Sequence, residues 1–221
     1  MTREKTKAPY HHGDLKNTLV DVALAHIARS GVSSLSLREV ARDAGVSHSA
    51  AYRHFTNKED LLVAIAEQGF QQLGESLGAA ARTHAGDPAG ALQAAGVAYV
   101  EFAVSHPEHL QIMFGGSIAD ANDYPSLVAA TDETYGALSQ TVAQASKSGQ
   151  LRSGDDKMIA LTCWATMHGL SQLIAGGQVR LDAGGASPRN LALAATGLVM
   201  RGINAPSDAD KPRSAKVKRA R

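Results

Sequence analysis

The stretch AGVSHSAAYRHFTNKEDLL, residues 44–62, crowds His48, Tyr52, Arg53 and His54 into one short segment of an otherwise apolar, alanine-rich chain. A catalytic cluster, a metal site and a surface that reads DNA would each look like this. Gly45 stops a preceding helix, and the residues up to Ser47 leave room only for a tight turn. Ser47 then caps a short helix predicted from His48 to about Phe55. At 100° per residue, His48, Ser49, Tyr52 and Arg53 fall within roughly 140° of one another. Ala51 and Phe55 are expected on the packed side. One face packs while the other stays free.

Outward from this segment, helical signals dominate and strand signals are nearly absent. Leu15, Leu19, Val22 and Ile27 recur at helical spacing from Asp14 until Ser30-Gly31 stops them. In SLREVARDAG, Ser36 stands three residues before Glu39, the spacing of a capping box. Asn57, with Asp60 three residues on, opens a fourth helix through KEDLLVAIAEQGFQQLGESLGAAAR. Asp87-Pro88 and His106-Pro107 open two more. Helices are further predicted from Pro125 to about Ser148, Asp156 to Gly176 and Pro188 to Ile203. The expected fold is all-α, about nine helices, with a three-helix head leading into a larger body. Its divisions are a basic arm (1–13), a helix-turn-helix head (14–60), a body (61–204) and a basic tail (205–221). That tail, APSDADKPRSAKVKRAR after Asn204, has too little apolar surface to offset its ordering entropy and is expected to be disordered.

With 221 residues the chain can bury a sizeable core. The opening MTREKTKAPY is polar and basic, unlike a secretory leader. No apolar run approaches the ~18 residues of a membrane span, Leu191–Met200 coming nearest. Cys163 is the sole cysteine, which excludes an internal disulfide and a Cys-rich zinc site. A cytoplasmic protein with no membrane partner is the simplest reading. The net charge is +1, but it is unevenly placed. Residues 71–200 hold six basic against eleven acidic side chains, and residues 201–221 seven against two. An acidic body with positive ends fits a polyanion held at one end.

Two short helices joined by a Gly-containing turn, the second with a free polar face, fit a DNA-reading helix-turn-helix. Arg53 could donate twice to guanine, and His48 and Ser49 could reach base edges. Ser47, Tyr52, His54 and Lys58 suit phosphate oxygens. Periodicity alone leaves a merely solvated helix face open. A metal site fits poorly, since His48 and His54 stand six apart on different faces.

Specific motifs now decide between these readings. They are G-x3-L-S-L-R-E-V-A from Gly31, A-G-V-S at 44–47, Y-x-H-F at 52–55 and K-E-x-L-L at 58–62. In this order and spacing, residues 10–70 resemble the N-terminal domain of the TetR family of bacterial repressors. The resemblance implies a homodimer on a palindromic operator, released by a small effector bound in the body. Carried over by position, it implies DNA contacts at Ser36, Arg38, Ser47, His48, Ser49, Tyr52, His54 and Lys58. Many members have Gly at position 49, where this chain has Ser, so base contacts transfer less well than phosphate contacts.

In the body, HPEHLQIMFG (106–115) and CWATMHGLSQLIAGG (163–177) resemble a subgroup with a Trp…His-Gly signature, here Trp164, His168 and Gly169. Trp164 and His168 share a helix face. Tyr99, Phe102, Met113 and Phe114 could surround the same space as a hydrophobic effector pocket. Aromatics and Met at helical spacing are equally what plain core looks like. Small residues Gly169, Gly176, Ala192, Ala195 and Thr196 suggest dimerisation through the last two helices.

The His106-x2-His109 pair, at a helix start, reads as capping rather than a metal pair. His11-His12 with Lys5 and Lys7 form either a polar leader or a DNA-following arm. Lys211, Arg213, Lys216, Lys218, Arg219 and Arg221 read as a solvated end. The histidines near the head predict operator affinity rising as pH drops from about 7.5 to 6. Two competing classes are an all-α hydrolase using His168 and a sequence-indifferent architectural DNA binder. No nucleophile elbow, zincin, P-loop or paired-Cys motif supports the first, and the acidic body opposes the second. No catalytic residue, cofactor or metal is expected.

Overall fold

The computed structural model describes residues 15–179 and 187–204. The expected arm, the tail and Asp14, where the first helical pattern was expected to begin, lie outside these. Among the described residues there are nine α-helices and two 3-10 turns, with only an isolated bridge between Leu151 and Asn204 in place of a sheet. The chain packs as two units.

The first unit comprises residues up to 71 and 106–131. It begins with α1 (Leu15–Ser30), a 3-10 turn (Val32–Ser34), α2 (Leu37–Asp43) and α3 (His48–Ala51). Helix α4 (Lys58–Arg82) starts here, followed later by α6 (Pro107–Phe114) and the first turns of α7 (Pro125–Lys147). The sequence divides head from body at 60/61, whereas packing puts 106–131 with the first unit. Leu19, Ala23, Val40, Ala41, Ala51 and Leu61 are fully buried in its core.

Local chemistry sets the ends. Ser36 Oγ accepts the Glu39 N–H (3.3 Å) and donates to Glu39 Oε2 (3.0 Å), so the cap closes on the Ser36 hydroxyl. Helix α2 ends in a Schellman motif: Val46 N–H reaches Ala41 O (2.9 Å) and Gly45 N–H reaches Arg42 O (3.0 Å). Gly45 takes φ 70°, a region that Cβ-bearing residues rarely adopt. At the start of α4, Asn57 Oδ1 accepts the Asp60 N–H (2.9 Å), and Asp60 reaches back to the Thr56 N–H (2.8 Å).

The second unit comprises residues 72–105 and 132 onward. Helix α5 (Pro88–Ser105) packs against α8 (Asp156–Ala175) and α9 (Pro188–Ile203), with the ends of α4 and α7 completing it. Close packing of α5 on α9 rests on small residues: a Cβ built on Gly96 would lie 2.7 Å from Thr196 Cγ2. Ala192 and Thr196 are therefore buried within one chain, which corrects their expected place between subunits.

Helix α8 is the one helix among the described residues that is long and apolar enough, by length and composition, to cross a membrane. Within its 20 residues the mean hydropathy reaches 1.2, because Thr, Ser, His and Gln interrupt the run without adding charge. In this fold it packs against α5 and α9.

Candidate DNA-binding surface and body cavity

Helix α3 is shorter than predicted. Regular helix ends at Ala51; Tyr52 N–H still bonds His48 O (2.9 Å) and Phe55 N–H bonds Ala51 O (3.1 Å), while residues 52–54 tighten into a turn. Phe55, only 2% exposed, anchors that turn in the core. The expected division of faces survives the shortening. Ser47, His48, Ser49, Arg53 and His54 are exposed, as is Tyr52 at 48%, whereas Ala51 and Phe55 are buried.

The exposed side chains are internally braced. Ser47 Oγ accepts the Ala50 N–H (3.2 Å) as the N-cap and is hydrogen-bonded to Ser49 Oγ (3.0 Å). Arg53 Nε donates to the Ser49 carbonyl (3.3 Å), which leaves its two terminal nitrogens for another partner. On α2, Arg38 is exposed and Ser36 is half-buried by its cap role. Lys58 departs from expectation. Its Nζ donates to Val32 O (2.6 Å) and Ser33 O (3.4 Å), two carbonyls of the 3-10 turn that converge on it. It braces the head instead of standing free for a phosphate.

A buried histidine that sequence reasoning missed also braces the head. His26 Nε2 bonds Ser34 Oγ (3.1 Å), and its ring lies 3.9 Å from Glu39 Oε2 and 3.7 Å from Asp43 Oδ2. It thus ties α1 to α2. The sole sequence signal was its place on the apolar stripe of α1.

His106 stands at the N-cap of α6 without a side-chain cap bond. His109 is buried and its Nε2 bonds Gln68 Oε1 (3.0 Å). Burial, with His106 nearby, pushes His109 down to about 4. The capping reading of this pair is thereby corrected: the first ring makes no cap bond, and the second is a neutral core group. Met113 and Phe114 pack in the same core, Met113 beside Gly69 and Phe114 edge-on to Phe70 at 5.5 Å. They are core of the first unit because the apolar face of α6 lies on α4, whereas Trp164 belongs to the second unit. Among the described residues no three His, Cys, Asp or Glu side chains converge on a metal-sized site.

The second unit contains a cavity of about 570 Å³ of empty space, including its open mouth. Of the expected pocket residues, Tyr99 and Trp164 line it; Phe102 is buried elsewhere on α5. His168 sits behind Tyr99, with its Nδ1 2.8 Å from the Tyr99 hydroxyl and its Nε2 3.4 Å from Gln172 Nε2. Burial pushes Tyr99 up to about 12, partly offset by a hydrogen bond from Trp164, and it lowers His168. Both stay neutral at physiological pH. The rest of the wall was not legible in advance: Gly78 and Ala81 on α4, Ala95 and Gly96 on α5 and Ala137 on α7 leave space by being small. Cys163 also faces the cavity, and burial raises its thiol to about 11.

A helix-turn-helix with an exposed second helix, in a chain whose other helical unit holds an apolar cavity, defines a DNA-binding regulatory protein. The description "Bacterial regulatory proteins, tetR family" matches residues 19–65, and "Tetracyclin repressor-like, C-terminal domain" matches residues 92–195, a span that encloses Trp164, His168 and Gly169. The chain belongs to the TetR family of bacterial transcriptional regulators, which are not enzymes. The HTH-type transcriptional regulator AcrR of Shigella flexneri is 42% identical over 62 residues, 28% of this chain and 29% of that protein. The match thus spans less than a third of that curated relative. A protein of unknown function from Rhodococcus sp. RHA1 is similar over 89% of this chain and 99% of its own, at 36% identity and a TM-score of 0.77. The TetR family transcriptional regulator PfmR of Thermus thermophilus shares the fold, with a TM-score of 0.68 at 19% identity over 83% of this chain and 97% of its own.

Proposed function

We propose that the chain is a ligand-responsive repressor that binds a palindromic operator as a homodimer and leaves it when a small hydrophobic effector enters the body cavity. The observation that carries this reading is the division of α3 and the turn after it, with His48, Ser49, Tyr52, Arg53 and His54 in solvent while Ala51 and Phe55 hold the segment to the core. Arg53 offers its terminal nitrogens to a guanine edge, the commonest specific contact in the major groove. Ser36, Arg38, Ser47, Tyr52 and His54 position the helix on phosphates. The dimer reading is supported by Met158, Leu161 and Leu173 on α8 and Leu193 and Leu198 on α9, large apolar side chains left exposed on one protomer. A pair of α8/α9 hairpins from two chains would cover them. The setting is the bacterial cytoplasm.

Nuclease footprinting of the protein on its own upstream DNA tests this. The expected result is protection of two half-sites about one helical turn apart, lost in the Arg53→Ala variant, which gives up ~1–3 kcal/mol of discrimination. Protection equal to that on random DNA would overturn the reading in favour of a sequence-indifferent binder.

A further inference from the structure

The cavity that the proposed function assigns to an effector also specifies the effector's chemistry, and this inference rests on that assignment. No lining side chain is charged at neutral pH. The polar atoms on the wall are few and already engaged. The Thr141 hydroxyl donates to Ala137 O (2.9 Å), and the Trp164 indole is hydrogen-bonded to Tyr99. A charged group brought here would lose its water and meet no opposite charge, the costliest form of burial. Arg82 stands near the wall, with its Nη1 3.1 Å from where a Cβ on Gly78 would lie. It is solvent-exposed, so its charge stays hydrated and screened.

One polar pair remains adaptable. The Tyr99 hydroxyl and His168 Nδ1 lie 2.8 Å apart, so a proton on either can fill the bond. With the proton on Nδ1, His168 donates to the Tyr99 oxygen and the Tyr99 O–H is released toward a ligand acceptor. Gln172 Nε2, placed to donate to His168 Nε2, favours that tautomer.

We propose that the cavity selects an uncharged, mainly hydrocarbon molecule carrying a single acceptor oxygen, which takes the hydrogen bond of the Tyr99 hydroxyl. Neither a fatty acid nor an alkylammonium ion meets that description.

Trp164 is the single tryptophan of the chain and lines the cavity, so its fluorescence reports entry directly. The full-length protein is titrated at pH 7.5 with three matched probes: 2-nonanone, nonanoate and nonylammonium. The expected result is saturable quenching by the ketone at a Kd at least tenfold below that of either charged homologue. Tyr99→Phe should weaken the ketone at least fivefold, and Ala137→Phe, at an exposed position on the wall, should abolish binding. The proposal is overturned if either ion binds as tightly as the ketone, if Tyr99→Phe leaves ketone affinity unchanged, or if no probe quenches saturably. The ion comparison uses the native chain and so does not depend on how the variants fold. A parallel operator-release assay separates the two readings. A ketone that fills the cavity while the operator complex persists supports this ligand class and refutes the effector role of the cavity.

Discussion

Gly69→Ala and Gly74→Ala are the same substitution five residues apart on α4, and the structure gives them opposite signs. Alanine is favoured over glycine in a helix interior by about 1 kcal/mol. At Gly74 the new methyl would sit 3.6 Å from Thr134 Oγ1, an ordinary contact, so most of that gain should appear. At Gly69 it would lie 2.6 Å from Met113 Sδ, and 3.1 Å from both Met113 Cγ and His109 Cδ2. Favourable carbon contacts lie near 3.5–4.0 Å, so Met113 must retreat by about 1 Å. Methionine is adaptable, but this one packs against the core, and the ring beside it is held by Gln68. Overpacking of this kind costs about 1–3 kcal/mol. The balance is a loss of up to about 2 kcal/mol for Gly69→Ala, which lowers Tm by up to roughly 8 °C in a chain of this size. Thermal melts followed by far-ultraviolet circular dichroism measure both variants. Removing the obstruction should rescue the first: Gly69→Ala combined with Met113→Ala should be about 1 kcal/mol more stable than additivity allows. A Gly69→Ala protein as stable as Gly74→Ala, or an additive double variant, would refute the packing of α6 on α4.

Lys58→Met should destabilise the head by about 1.5–3 kcal/mol through lost charge-assisted bonds, yet leave the salt slope of operator binding unchanged; a slope reduced by about one would place Lys58 on a phosphate instead. His109 is depressed from an ordinary 6.5 to about 4, so between those values the unfolded chain takes up a proton that the folded chain refuses. Stability should therefore fall as pH drops from about 6.5 to about 4, and a His109→Gln protein, compared over the same range in urea melts, should lose less. The Cys163 thiol, raised to about 11, should react with iodoacetamide at pH 8 roughly a hundredfold more slowly than free cysteine; equal rates would mean that it is not buried.

Helix starts were the most legible feature. Ser36, Ser47 and Asn57 cap α2, α3 and α4, and Pro88, Pro107, Pro125 and Pro188 each open the helix they were expected to open, because caps and proline act through bonds and dihedrals a few residues away. The exposed face of α3 was legible for a similar reason, as its periodicity survives a shortened helix. What failed depends on partners distant in sequence. Met113 and Phe114 look as fit for a pocket as Tyr99 does, until Gly69 and Phe70 claim them. Lys58 looks free until the Val32 carbonyl, 26 residues earlier, meets its ammonium. The cavity wall draws small residues from several helices, and absent side chains leave no periodic mark.

The bond from Arg53 Nε to the carbonyl of residue 49 carries a consequence for how such a surface diversifies. A carbonyl belongs to the backbone, so it persists whichever amino acid occupies position 49. Replacing Ser49 by glycine or a larger residue changes what that position presents to a base pair, but it leaves the tether that aims Arg53 intact. The two positions can therefore drift independently, the side chain at 49 changing while the backbone bond keeps Arg53 aimed. Duplicated copies of such a gene could acquire new operators in single steps, without first losing the old grip on DNA.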